Sequence, residues 1–507
     1  MSFTLLLIIL FIVSTILTYL TVKFWHLSKS VIMSFFQYFI GILFIVSGFV
    51  KAVDPLGTSY KMEEYFQEFQ SLFEHTWFSF INPVWQLMEH YSLFMGIVMI
   101  IFEIILGIML IIGYKPKLTA WLYLLLVLFF TALTGYTYLT GYVPQGVSFW
   151  SFSQWGEFQD TNMKVTDCGC FGDFIKFSAW HTFLKDVYLI IPGIYFIIRS
   201  KDMHRFFGKF IRTSIVIAGI VIIYIFSLAN SSWNLPMIDF RPFKEGVNVR
   251  QRMKLENEAA ANIQELAVLL KNKRTGDLVE IPSKQYLSNK SLYPDSLWNI
   301  KDRIFSEPTV PITEISDLAI EDYEGNDHTE EILTYPDYML MVVSSKMKGE
   351  PEPYTYTVKD TVFVEDTVVI VDTIFVNDSI PYTNSDSIRI MKNIKEIKDR
   401  EVQGYNYIWD ANYLKRFIKY INPVVNQAKK NGLKVIALAP STREMADDFI
   451  KDSGLDIPFY NVDDITLKTI IRSNPGVVLM KNGTIIKKWH YKKLPDFESI
   501  KENYIKP

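Results

Sequence analysis

Two cysteines, Cys168 and Cys170, are the only ones in 507 residues. They stand in the run Thr166-Asp167-Cys168-Gly169-Cys170-Phe171-Gly172-Asp173. A close thiol pair can cycle between dithiol and disulfide. A Cys-x-Cys bridge closes a ring too small to relax into ordinary disulfide geometry, and strained bridges are the more oxidising and labile ones. The pair therefore suits donation of oxidising equivalents better than stapling a fold. Glycines at 169 and 172 permit the tight backbone this needs. Asp167 and Asp173 oppose the chemistry, because nearby negative charge raises a thiol pKa and slows attack. Two thiolates with a distant His181 fall short of a zinc set.

The cysteine run lies in a loop between long apolar segments. Six stretches, near 3–23, 31–53, 92–113, 117–139, 181–198 and 212–230, are long and apolar enough to cross a bilayer. Lys23, Lys29, Lys115, Lys117, Arg199, Lys201, Arg205, Lys209 and Arg212 fall in alternate loops. Basic loops stay cytoplasmic, which puts the N-terminus, the cysteine loop and residues 231–507 outside the cytoplasm, at an inner membrane. Disulfides persist on that side. The first span has no basic leader and no small-residue cleavage site, and reads as a retained anchor. The segment 60–90, aromatic and acidic, reads as helices lying on the outer surface. A net charge of −3 gives no case for nucleic acid.

Other polar residues sit where the membrane makes them expensive. Glu103 lies mid-span and should face the bundle interior, as a proton relay, a handle on a quinone-like ligand, or a neutral acid bonded to neighbouring helices. Gln37, Ser47, Thr131 and Thr134 are the expected partners. Lys51 and Asp54 are one helical turn apart at the outer boundary, and Lys185 and Asp186 sit near the same level. With Cys168, Cys170 and Asp173 they could form one polar cluster at the bundle mouth, where His181 could take a proton. The bland alternatives are a snorkelling lysine and ordinary helix-end charges.

The span ending SGFVKAVDPLG, the glutamate inside the next apolar helix, and a CGCFGD loop before a span beginning with Lys-Asp resemble the DoxX family, and the cysteine run its MauE-like branch. The resemblance covers roughly residues 30–200. It implies a four-helix membrane bundle associated with quinone-linked sulfur oxidation, or with disulfide formation in an extracytoplasmic enzyme. Cys168 and Cys170 would then be the redox pair, with Glu103 assisting and Lys51, Asp54, Lys185 and Asp186 near the cofactor. This chain adds an outer span at each end and a large C-terminal half.

The second half divides into a sixth span (201–230), a connector (231–311, with a helix expected near 253–272) and an α/β domain (312–507). Strands are expected at 338–344 and 434–439, helices at 411–431, 441–453 and 463–471, and a hairpin at 476–490 around Asn482-Gly483. This order, with NPGVVLMKNGTIIKKWH, is similar to a thioredoxin fold, Pro475 matching its cis-proline. Where that family carries Cys-x-x-Cys, this chain has Ser344-Ser345-Lys346-Met347. An insertion (348–402) repeats Asp360-Thr361-Val362, Asp366-Thr367-Val368, Asp372-Thr373-Ile374 and Asp378-Ser379-Ile380 every six residues, a spacing that puts every aspartate on one side of a strand. It reads as a β arm for cations or a partner, or as a solvated stalk.

The fold class expected is thus a membrane α-helical bundle plus a soluble thioredoxin-like α/β domain with a β-rich insertion. Two functions compete. One is a quinone-linked thiol–disulfide component acting on an extracytoplasmic client. The other is a membrane-anchored adaptor whose cysteine-free domain binds an envelope partner. Transport has only Glu103 behind it.

Overall fold

The computed structural model describes residues 3–165, 169–175, 177–376 and 380–505, with the side chains of 360–398 left out. Cys168, Asp167 and Asp378, and the side chains of the other repeat aspartates, therefore lie outside the described residues.

Among the described residues six helices are long and apolar enough to span a membrane: α1 (Phe3–Lys23), α2 (Val31–Val53), α5 (Ser92–Ile112), α6 (Pro116–Thr140), α7 (Ala179–Ile198) and α8 (Lys209–Leu228). α2, α5, α6 and α7 share one core around Phe44, Leu106, Tyr123 and Phe196. α1 lies against α2, and α8 against α5. The outward faces of α1 and α8 are rows of exposed Leu, Ile and Phe. Without a lipid phase around them, such surfaces would be unstable in water, so this half is an integral membrane bundle in contact with the bilayer.

Close packing of α2 on α5 uses glycine. A Cβ on Gly48 would meet Ile104 at 2.4 Å, and one on Gly107 would meet the Gly41 carbonyl at 2.6 Å. Small residues let membrane helices approach where no hydrophobic effect drives them together. α2 stops at Asp54-Pro55, where Asp54 caps the next helix by accepting from Gly57 N at 3.2 Å. That helix, α3 (Pro55–Glu74), and α4 (Asn82–His90) form the aromatic layer over the mouth.

Beyond α8, residues 235–261 join the soluble domain. Phe243 and Val249, on α9 (Val249–Ala261) and the segment before it, share a core with Met341 and Ile485. The helix expected over 253–272 ends at Ala261, and 265–272 is a strand. This strand, β1 (Glu265–Asn272), carries β2 (Leu278–Pro282) and β3 (Trp298–Phe305) on its two sides, with the short helix α10 (Ser283–Ser288) over them. Leu-Ala-Val-Leu-Leu at 266–270 satisfies either period, and pairing on both edges selects the strand.

The main sheet follows α11 (Thr329–Leu333). β4 (Tyr338–Val343) lies at its centre, parallel to β7 (Lys434–Ala439), itself parallel to β8 (Phe459–Asn461). On β4's other edge run antiparallel β9 (Gly476–Lys481) and β10 (Thr484–His490). α12 (Ala411–Arg416) and α13 (Asn422–Lys430) are joined by a π turn ahead of Pro423. α14 (Arg443–Ser453), α15 (Asp464–Ile470) and α16 (Phe497–Tyr504) complete the layers. Between β4 and α12 runs a long antiparallel hairpin, β5 (Gly349–Val376) and β6 (Ile380–Trp409). The chain is therefore a membrane helical bundle plus a separate α/β domain.

Candidate functional site

The polar residues of the bundle fall into two groups rather than one. In the first, Lys51 bonds Glu103 at 2.7 Å, with side-chain exposures of 6 % and 4 %. Glu103 was expected to turn to Gln37, Ser47, Thr131 or Thr134. The α2–α5 glycine contact instead brings the Lys51 ammonium over it. Gln37 donates to the Leu110 carbonyl of α5 and accepts from His204 N, tying the loop before α8 to the opposite end of the bundle. Lys51 thus does not snorkel outward to the boundary.

On α7, Lys185 pairs with Asp186 at 2.9 Å, and the second Asp186 oxygen accepts from Thr134 at 3.1 Å. Lys185 also lies beside Cys170, the two lining one small cavity. Among the described residues Cys170 is the only cysteine, and its thiol is free. Ser47 fixes the loop by donating to the Cys170 carbonyl at 2.6 Å, and Gly169 and Gly172 take φ of 59° and 51°, where a β-carbon would be strained. Burial pushes the Cys170 thiol up, and the nearby Lys185 offsets only part of that rise. A cavity of about 30 Å³ touches Cys170, Lys185, Asp186, Lys51 and Glu103 together. His181 takes no part: it is exposed at the start of α7, bonded to Ser178 at 2.7 Å.

The second group joins the two halves of the chain. Arg472, between α15 and β9, donates to Asp54 at 2.8 Å and to Asp173 of the cysteine loop at 3.1 Å. Its guanidinium lies 5.3 Å from the Tyr60 ring centroid, with Lys468 5.1 Å from the same ring. Burial would lower the Arg472 pKa, but Asp54 and Asp173 more than offset it and hold the charge firmly on. Phe174 packs on Phe240 at 5.1 Å. Asp54 and Asp173 thus serve the interdomain contact, and Asp173 spends its charge on Arg472. Nothing in the sequence marks Arg472, whose partners lie 418 and 299 residues away.

These contacts enclose a cavity of about 670 Å³ that opens between the bundle mouth and the α/β domain. Cys170 and Lys51 lie on its wall. Towards the membrane it is lined by Met95, Met99, Phe102, Phe129, Phe130 and Leu133, and towards the domain by Arg241, Lys468 and Arg472. Its charges are largely spent on one another: Lys61 on Glu64 at 2.8 Å, Lys468 on Asp464 at 2.6 Å, and Arg472 on its two aspartates. Such a space suits a largely apolar, uncharged ligand better than an anion.

Across the sheet's end, Ser344 at the tip of β4 bonds Tyr413 and Asn474. The Asn474–Pro475 peptide is cis, and Arg416 donates to the Asn474 carbonyl at 2.6 Å. This loop is continuous with Arg472, so the edge of the α/β domain that carries it faces the cysteine loop.

Residues 29–145 match the family model described as methylamine utilisation protein MauE. No curated protein and no solved structure matches the chain. The matched stretch includes Lys51, Asp54 and Glu103 and ends before Cys170. Over that stretch the chain is similar to this family, and its apolar helices make it an integral membrane protein.

Proposed function

We propose that this protein is a membrane thiol–disulfide component in which Cys168 and Cys170 exchange oxidising equivalents with an extracytoplasmic client. One observation carries the reading: Cys170 lies on the wall of a large cavity with the Lys185 ammonium against its sulfur. A buried ammonium beside a thiol is the arrangement by which proteins activate sulfur. In the exchange, two client thiols become a disulfide as the Cys168–Cys170 bridge becomes a dithiol. Restoring the bridge releases two electrons and two protons, so an acceptor is required.

A quinone, which supplies two-electron, two-proton acceptor chemistry, is the acceptor this reading assigns to the apolar cavity. The ring-lined part by Phe102, Phe129 and Phe130 would hold it, with Met95 and Met99 along its apolar body. Lys51 and Glu103 would set the charge at its inner end. The basic loops gather at the bundle end opposite the cysteine loop. There, Lys29 reaches the Lys201 carbonyl at 3.2 Å and Arg212 the Gly113 carbonyl at 2.7 Å. That end is assigned to the cytoplasm, which leaves the cysteine loop and the α/β domain outside it.

The α/β domain is read as thioredoxin-like on its strand order, its Pro475 and its terminal hairpin. With Ser344-Ser345-Lys346-Met347 after β4 it is no dithiol enzyme. Its contact with the cysteine loop through Arg472 favours a recognition role, presenting clients to that loop. The same contact also supports an adaptor reading, in which the bundle merely anchors the domain.

Trapping Cys168 and Cys170 with an alkylating mass tag in native membranes, with the quinone pool oxidised or depleted, separates the two. Redox cycling predicts a pair that accumulates reduced when quinone is depleted, and loss of client oxidation in Cys168→Ser and Cys170→Ser. A pair indifferent to the pool, with both serine variants functional, would leave the adaptor.

A further inference from the structure

We propose that Lys185 is the positioning residue of this thiol chemistry: it holds the Cys170 sulfur at the bundle wall between the two cavities. The inference rests on the redox reading of the Cys168–Cys170 pair, and adds the group that governs one of its sulfurs.

The charged side chains facing Cys170 come from three helices and two loops, and each has a partner of opposite charge. Lys51 of α2 is taken up by Glu103 of α5 at 2.7 Å. Asp173, in the cysteine loop itself, is taken up by Arg472 at 3.1 Å. On α7, Asp186 is fixed from behind by Thr134, which holds its partner Lys185 in place at 2.9 Å. Among the described charges, Lys185 acts on the Cys170 thiol most strongly, and both line the same small cavity. The Lys185 stem crosses Phe171, the ammonium lying 6.0 Å from that ring centroid.

The position of Cys170 follows from the loop. The Cys170 carbonyl is tied to α2 through Ser47, and Phe171 is buried among Leu6, Leu10 and Leu43. Cys170 therefore enters the bundle wall, touching both the large cavity and the small one over Lys51 and Glu103. A client protein approaching from outside meets the loop before it meets this sulfur. In an apolar wall a thiol is inert, because its anion is poorly solvated. When the S–H bond breaks, the electron pair stays on sulfur, the proton passes to water at the cavity mouth, and the neighbouring Lys185 ammonium pairs with the thiolate.

The test uses the full chain in lipid nanodiscs with Cys168→Ser, so that Cys170 is the sole thiol. Alkylation by iodoacetamide, small and neutral enough for the cavity, is followed between about pH 6 and pH 10 by mass tag. Lys185→Met should slow alkylation near neutral pH about tenfold or more and move the midpoint up by about one unit or more. Lys185→Arg should stay within about threefold of the parent. Since Lys185→Met leaves Asp186 unpaired, Lys185→Met with Asp186→Asn guards against misfolding and should shift the profile the same way. A folded double variant with the parent's pH profile would overturn the proposal. The readout needs no quinone and no client. A shifted profile in a pair that ignores the quinone pool therefore sinks the redox function while leaving the Lys185 contact standing.

Discussion

Arg472 is the contact on which the relation between the two halves turns, and Arg472→Ala is its sharpest perturbation. The side chain is 7 % exposed, while its partners Asp54 and Asp173 are 16 % and 30 % exposed. Removing one partner of a buried ion pair costs about 3–5 kcal/mol, most of it from the charge left behind. Here both carboxylates keep some solvent, so the docking free energy should fall by about 2–3 kcal/mol, an equilibrium shift of roughly 30- to 150-fold. Arg472→Lys keeps the charge but loses the fork that spans two carboxylates, and should fall between. Hydrogen exchange of the full chain in nanodiscs reads this directly. Residues 55–60, 169–175 and 464–473 should lose protection together in Arg472→Ala, while β7 and β9 keep theirs. Unchanged exchange in the first two segments would refute the argument that Arg472 holds the domain on the mouth.

The Lys51–Glu103 pair makes the opposite kind of prediction. Glu103→Gln should destabilise the bundle by about 3 kcal/mol, because it strands a lysine in the membrane interior. Lys51→Met with Glu103→Leu should restore thermal stability, yet abolish client oxidation if the pair serves the acceptor. Gly48→Leu should separate α2 from α5, since even a Cβ there falls 2.4 Å from Ile104. The measurement is recovery of folded protein after detergent extraction, with Gly48→Ala partly tolerated. His490 reports the α/β domain. Burial, with Lys492 and Arg416 adding to it, lowers its pKa to about 4, so the folded domain keeps it neutral while the unfolded chain titrates near 6.5. Its contribution is complete above that range and is lost as pH falls from about 6.5 towards 4, by up to ~3 kcal/mol. Exchange protection of β9 and β10 should fall over that window, and His490→Gln should flatten the slope.

The membrane half was legible because bilayer thickness imposes a length and a composition on each helix, and both are written along the chain. The six spans expected from hydropathy lie within a few residues of those in the structure. The strands of the α/β domain were legible for a like reason: Met339 to Val343 and Val435 to Ala439 are short apolar runs bounded by turn residues, and central parallel strands are buried on both faces. The 265–272 segment was not, because a short apolar run fits a buried helix or a strand until its neighbours choose. β8, three residues long, carries no period at all.

The sequence by itself therefore determined which segments enter the membrane, where the thiols lie relative to them, and that Glu103 must find a partner. The tertiary structure decided the pairings. Glu103 took Lys51 because glycines at 41, 48 and 107 let two helices touch. Cys170 took Lys185 because a serine and two left-handed glycines fold its loop into the wall. Asp54 and Asp173 took an arginine more than 290 residues away. Hydropathy is a property of a segment and survives in one dimension. A hydrogen bond is a property of two surfaces brought to within about 3 Å, and only the folded chain brings them there.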